Sequence, residues 1–203
     1  MAKKNKRKDK KNKKKNKKPA GPTMAERAAR YDLYLQSVQA PDVDAAFFDR
    51  VYRNNFGEKP QSLREDFCGT FAVCCSWVKR GKDRVAYGVD LDPEPIAWGQ
   101  KKHHAKLKAH QKSRVQIFEG DVRNTDAPAV DIVAAQNFSY CLFDTRDALR
   151  SYFEVARGHL KDQGVFITDL FGGYESIEDD REEVTEQDGF DYVWDQSKYD
   201  PIN

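Results

Sequence analysis

The sequence predicts an α/β fold: a doubly wound, mainly parallel sheet with helices on both faces. Two observations predict it. From residue 61 to about 171, short apolar runs alternate with longer amphipathic ones, and this β-α-β rhythm implies parallel strands joined by helical crossovers. Helix punctuation also falls between the apolar runs: Lys79-Arg80-Gly81 closes one amphipathic segment, and Pro93 opens the next, where a proline has no hydrogen bond to lose.

Two helices are expected before the sheet. "AERAARYDLYLQSVQ" places Ala28, Tyr31, Leu35 and Val38 three to four residues apart, which is helical spacing. Pro41 is expected to break the pattern. Asp44 then caps a second helix carrying Ala46, Phe47, Val51 and Phe56, and Gly57 ends it. Strand one is expected at Leu63–Phe67, followed by a helix from Thr70 to Lys79. Strand two is Val85–Asp90, and a single helix runs from Pro93 to about Gln111. Strand three is Val115–Phe118 and strand four Val130–Ala135. A helix from Arg146 to Lys161 turns Leu149, Phe153, Ala156 and Leu160 inward, and strand five is Gly164–Asp169.

Beyond strand five the rhythm stops. The acidic stretch from residue 170 to 189 reads as loop. "FDYVWDQSKY" alternates apolar and polar residues and reads as an antiparallel strand without a partner. An open strand edge is a liability, so the C-terminal strands are expected to be incomplete, as in a truncated form of a longer protein. The chain divides into a Lys-rich tail (1–23), N-terminal helices covering a ligand site (24–60), an α/β core (61–171), and an acidic loop with one strand (172–203).

Charge is unevenly distributed. Residues 3–18 hold twelve Lys or Arg against one acid, Asp9, so the rest of the chain carries −9 within a formal total of +2. Such a tail cannot bury apolar surface and is expected to be disordered. Clustered lysines also offer weak contact with RNA or the ribosome through counterion release; a merely solubilising tail is the other reading. The four cysteines, Cys68, Cys74, Cys75 and Cys141, form no C-x-x-C pair and have no zinc spacing. They read as reduced thiols in a cytoplasmic protein, or a nuclear one in a eukaryote. No metal is expected. No apolar run approaches the ~18 residues that span a membrane, and the N-terminus lacks the apolar segment of a secretory signal.

In an open α/β sheet, ligands sit beyond the C-terminal strand ends. Strand one ends in Glu65-Asp66-Phe67-Cys68-Gly69-Thr70, strand two in Asp90, strand three runs into Asp121, and strand five ends in Thr168-Asp169. Carboxylates at these tips suit a ligand rich in hydroxyl and amino donors and poorly suit a pyrophosphate. A dinucleotide needs G-x-G-x-x-G so that bare backbone N–H groups reach its phosphates; Phe67-Cys68-Gly69-Thr70-Phe71-Ala72 has one glycine, and no G-x-x-x-x-G-K-[ST] loop exists. The ligand is therefore expected to be a nucleoside with little or no phosphate, with Asp90, 21 residues after Gly69, taking hydrogen bonds from ribose hydroxyls.

The ordered set "REDFCGT", "GVDLD", "EGDVRN", "VDIVAAQNFSY" and "GVFITDLFGG" resembles class I S-adenosylmethionine-dependent methyltransferases, in a subgroup whose loop reads E-D-F-C-G-T. The resemblance covers residues 61–171 and implies a Rossmann-like fold, S-adenosyl-L-methionine as cofactor and a small-molecule methyl acceptor. It implies that Glu65 organises the loop and the methionine moiety, and that Cys68, Gly69 and Thr70 form the loop. Asp90 would bind ribose and Leu91 pack beside adenine. Asp121 would accept from the adenine amino group, Val122 supply a backbone contact, and Gln136, Asn137 and Phe138 face the methyl group. Phe67 and Phe71 depart from the usual glycines.

No general base emerges from the sequence. His103, His104 and His110 read as the solvated face of a Lys-rich helix, and His159 as a helix end. The aromatic residues Phe138, Tyr140, Phe171, Tyr174 and Trp194 could line a substrate side or pack as core, and Tyr31 and Tyr34 could close over the cofactor. Three other functions stay open: an RNA or ribosomal-protein methyltransferase docking through its tail, a non-catalytic cofactor-binding module, and an NAD-dependent reductase, the last disfavoured by the missing glycines.

Overall fold

Strand β1 (Ser62–Asp66) is buried at every position, and the rest of the sheet is built around it. A computed structural model describes residues 28–200; the basic tail lies outside the described residues. The main sheet has the order β3-β2-β1-β4-β5, with β2 at Val85–Asp90, β3 at Val115–Glu119, β4 at Val130–Ala135 and β5 at Leu160–Thr168. All four pairings are parallel. This is the expected Rossmann-like arrangement, and the reversal of strand order between β1 and β4 is where such sheets open a ligand crevice.

Side chains alternating along the strands supply two cores. On one face Leu63, Ala86, Ile132 and Ala134 pack with Cys74, Cys75, Trp77 and Phe48. These last four come from helices α2 (Pro41–Phe56) and α3 (Ala72–Lys79). On the other face Val89, Val133 and Ala135 pack with Tyr152 and Ala156 of helix α6 (Arg146–Gly158). Helix α1 (Arg30–Ser37) precedes α2. Pro41 falls in the break between the two helices, as expected, and opens α2, where its ring is accommodated in a first turn, so Asp44 lies inside that turn and does not cap it. Gly57 closes α2 in the left-handed region at φ 74°.

Four local expectations are corrected. The helix from Pro93 divides into α4 (Pro93–Lys102), a 3-10 turn (His104–Lys106) and α5 (Ala109–Lys112), because Leu107 turns in an extended conformation to reach the core, where it is 5% exposed. His103 and His104 are thereby half-buried, against the rings of Trp98 and Phe71, instead of solvated. Helix α6 ends at Gly158, and β5 begins at Leu160. Its buried aromatic is Tyr152, while Phe153 stays 39% exposed.

The acidic stretch expected as loop contains strand β6 (Arg181–Gln187), which pairs antiparallel with β7 (Phe190–Gln196). So the C-terminal strand has a partner. The pairing was hidden because Glu182, Glu183, Val184, Thr185 and Glu186 are all exposed, leaving no apolar alternation to read.

Arg64 on β1 is fully buried. Its Nε donates to Asp66 Oδ1 at 2.6 Å and its guanidinium to the Val122 carbonyl at 2.6 Å, while the Tyr152 hydroxyl donates to Asp66 Oδ2 at 3.0 Å. Removing one member of a buried pair strands the other. Arg64→Met should lower stability in urea denaturation by about 3–5 kcal/mol, and the double variant Arg64→Met, Asp66→Leu should recover part of that loss.

Candidate functional site

A cleft of about 730 Å³ opens at the C-terminal edge of β1, β2 and β3, in the usual size range of small-molecule sites. Its polar groups are Asp90, Asp92, Asp121, Arg123 and Ser139; Phe67, Leu91, Leu142 and Phe143 supply apolar walls.

The turn from β1 to α3 contributes Phe67 to the cleft. Phe67, Gly69 and Phe71 all take positive φ, at 56°, 50° and 45°. Two of these are not glycine, and such backbone needs outside restraint. The restraint comes from carboxylates. Asp90 Oδ2 accepts from Gly69 N at 2.6 Å, and its Oδ1 accepts from Asp92 N at 2.9 Å. Glu65 Oε2 accepts from Cys74 N at 3.1 Å in the first turn of α3, where a negative charge meets the helix dipole. Gly99 of α4 is pressed against the same turn: a Cβ there would lie 2.2 Å from the Thr70 carbonyl oxygen.

Glu65 is 7% exposed. Burial, with added repulsion from Asp44 and Asp90, pushes its carboxyl up from 4.5 to about 7, against the Cys74 hydrogen bond. Cys68 and Thr70 are buried, and neither they nor Gly69 are among the residues that line the cleft. Asp121 is held in a bidentate pair by Arg123, at 2.6 and 3.0 Å; this pair, with the Arg123 backbone N–H, keeps its carboxyl below the usual range. The Arg123 guanidinium also lies 4.9 Å from the centre of the Phe143 ring. Val122 is buried and Leu91 is 71% exposed on the rim.

A second group gathers around Asp169, just past β5. Its carboxylate accepts from Asn137 N at 2.7 Å and Phe138 N at 2.9 Å, and both residues have positive φ, 56° and 54°. Burial raises the Asp44 carboxyl of α2, the Gln136 amide opposes this, and Asp169 adds to the rise. Tyr34 of α1 is raised by burial, then by Tyr192 and Asp169. The rings of Phe138 and Phe171 are 5.7 Å apart, and those of Phe171 and Trp194 are 5.5 Å apart. Cys141 is exposed on the 3-10 turn Ser139–Leu142, whereas Cys68, Cys74 and Cys75 are buried, and all four are free thiols.

Glu65 and Asp90 thus meet at one turn, and Asp121 lies on the wall beside Asp90. Gln136, Asn137 and Phe138 belong to the Asp169 group. Asp44 and Arg123 were missed as site residues: Asp44 reads as a helix-capping residue, and Arg123 is hidden in the "GDVRN" turn.

The architecture matches solved structures with probability 1.00. The SAM-bound amino pentose methyltransferase CalS10 of Micromonospora echinaspora superposes with TM-score 0.63 at 18% identity, over 82% of this chain and 66% of that one. This is the fold of S-adenosylmethionine-dependent methyltransferases. Streptomyces venezuelae DesVI gives 0.62 at 20% identity, covering 80% of this chain and 66% of its own. The sugar N-methyltransferase KedS8 of a Streptoalloteichus species gives 0.60 at 20%, covering 84% and 78%. The chain therefore spans about two thirds of the first two methyltransferase-fold structures. No family model matches the sequence, and no curated protein matches it.

Two outcomes are expected. Between pH 4.5 and about 7 the folded state keeps a proton on Glu65 that the unfolded chain has released. Stability should therefore fall as pH rises through that window, at about 1.4 kcal/mol per pH unit for this one group. Glu65→Gln, which keeps an acceptor for Cys74 N, should flatten that slope in urea titrations. Gly99→Ala should lower stability by about 1–3 kcal/mol or more in thermal melts, since the opposing atom is backbone and cannot swing away.

Proposed function

We propose that the protein is an S-adenosyl-L-methionine-dependent methyltransferase acting on a small-molecule acceptor. One observation carries the reading. Two of the N–H groups that a phosphate-binding turn would present are already occupied, Gly69 N by Asp90 and Cys74 N by Glu65. A diphosphate approaching this turn would meet two carboxylates in place of free donors. A ligand with an uncharged sugar and a cationic tail fits the same groups.

In this reading Asp90 keeps lone pairs for ribose hydroxyls, and the cleft flanked by Leu91, Val122 and Phe143 takes the purine. Asp121 would meet the purine amino group only by sharing its carboxylate with Arg123. The Cys68-Gly69-Thr70 backbone and Glu65 receive the methionine end; a nearby ammonium stabilises ionised Glu65 and releases its proton. Gln136, Asn137 and Phe138 face the reacting centre. When bound, the sulfonium supplies an electrophilic methyl group with a neutral thioether as leaving group. The protein's part is alignment and exclusion of water. Two of the neighbouring folds belong to sugar methyltransferases, which supports a small-molecule acceptor. We further propose that the helices before residue 61 form one wall of this site, through Tyr34 and Asp44.

Calorimetry with S-adenosylhomocysteine tests the reading. Binding should weaken by about 1–3 kcal/mol in Asp90→Ala, which removes charge-assisted hydrogen bonds, and less in Asp90→Asn. Wild-type binding should release a proton near pH 6.5, seen as a buffer-dependent heat that Glu65→Gln abolishes. Unchanged affinity in Asp90→Ala would count against the assignment.

A further inference from the structure

Two exposed surfaces away from the nucleoside cleft carry opposite charge around an apolar middle. The first is an open groove of about 470 Å³ along helix α6, lined by Arg146, Leu149, Arg150, Phe153, Glu154 and Arg157. These residues recur three and four apart, so they share one face of the helix. The three arginines are exposed, and their side chains have no ion pair or hydrogen bond among the described residues. Phe153 stays 39% exposed between them.

The second surface is the outer face of the β6–β7 hairpin. Its register sets Glu182 opposite Asp195, Val184 opposite Val193 and Glu186 opposite Asp191, and residues two apart along a strand share a face. All six are exposed, and the four carboxylates have no partner among the described residues. The other face is engaged: Trp194 meets Phe171, and Arg181 pairs with Glu175, Glu178 and Glu183. Like charges directly across an antiparallel pair are destabilising, and a lone hairpin is marginal in water. Two such pairs flanking two exposed valines call for a cationic cover with an apolar centre.

We propose that a second copy of this chain supplies that cover, the hairpin of one copy seating on α6 of the other. The dimensions agree. Arg146 to Arg157 spans ~16 Å along a helix, and Glu182 to Glu186 spans ~14 Å along a strand. The order of groups agrees too: arginines on either side of Leu149 and Phe153 meet carboxylates on either side of Val184 and Val193. Arginine and phenylalanine are enriched in the buried centres of interfaces. Glu154 is a mismatch, offset by Arg150 and Arg157 beside it on the same helix face. Residues 3–18 are also strongly cationic but contain no apolar residue, so they would leave the valines bare. When two copies seat on each other mutually, the contact forms twice about a two-fold axis and closes as a dimer. The contact does not rest on the methyltransferase reading.

The test is sedimentation velocity on the full chain at protein concentrations up to about 100 μM. The wild-type chain should show a monomer–dimer equilibrium whose Kd rises about tenfold or more between about 0.05 and 0.5 M salt. Two charge-reversed chains carry the assignment: Arg146→Glu, Arg150→Glu and Arg157→Glu together, and Glu182→Lys, Glu186→Lys, Asp191→Lys and Asp195→Lys together. Each alone should be monomeric with its thermal melt retained. Mixed, they should dimerise again, because both contacts of the mixed pair then join opposite charges. Where a charge-reversed chain loses its melt, the single changes Arg150→Glu and Glu186→Lys decide by the same mixing. A wild-type monomer at every concentration, a dimer that neither variant disturbs, or no recovery on mixing overturns the proposal. Dissociation that deletion of residues 3–18 reproduces also overturns it, in favour of the basic tail as the occupant of the hairpin.

Discussion

Two carboxylates hold the turn between β1 and α3, and the site depends on that restraint. Glu65 belongs to β1 and reaches the first turn of α3; Asp90 ends β2 and reaches Gly69. Together they fix a backbone that passes through positive φ at two phenylalanines, a conformation a bulky residue does not hold unaided. The same contacts decide the charge of any ligand the turn accepts. A glycine-rich turn leaves its N–H groups free and draws anions. Here two of those donors, Gly69 N and Cys74 N, are engaged by carboxylates from within.

The alternation of β1 explains how so much charge is tolerated at the centre of a sheet. Glu65 lies on the α3 face; Arg64 and Asp66 lie on the α6 face with Tyr152. On the α6 face the pair reaches Val122 after β3 and Tyr152 on α6, while on the other Glu65 takes the Cys74 N–H. Charge at the middle of the fold is therefore partitioned, a structural pair on one side and the turn-holding carboxyl of Glu65 on the other.

The sheet was legible because its signal is local: five apolar runs with helical periods between them. The carboxylates at the strand tips were legible for the same reason. What could not be read came from long-range geometry. Arg64 looks like an ordinary charged neighbour of Glu65 until pleating sends it to Asp66 instead. The Asp121–Arg123 pair lies within one turn, yet nothing in "GDVRN" indicates that the arginine folds back. Strand β6 escaped because it is paired without being buried, and hydrophobic period detects burial alone. Asp44 reads as a helix-start residue, and the influence of Gln136 and Asp169 on its carboxyl comes from other strands.

The cysteine pattern has a practical consequence. Desolvation drives the thiols of Cys68 and Cys74 far from ionisation and that of Cys75 up to about 12. Cys141 alone stands in solvent, on a turn whose neighbours Ser139 and Leu142 border the cleft. A maleimide dye or nitroxide would attach at that single position without mutagenesis, placing an optical or magnetic reporter at the rim of the crevice in the unaltered polypeptide.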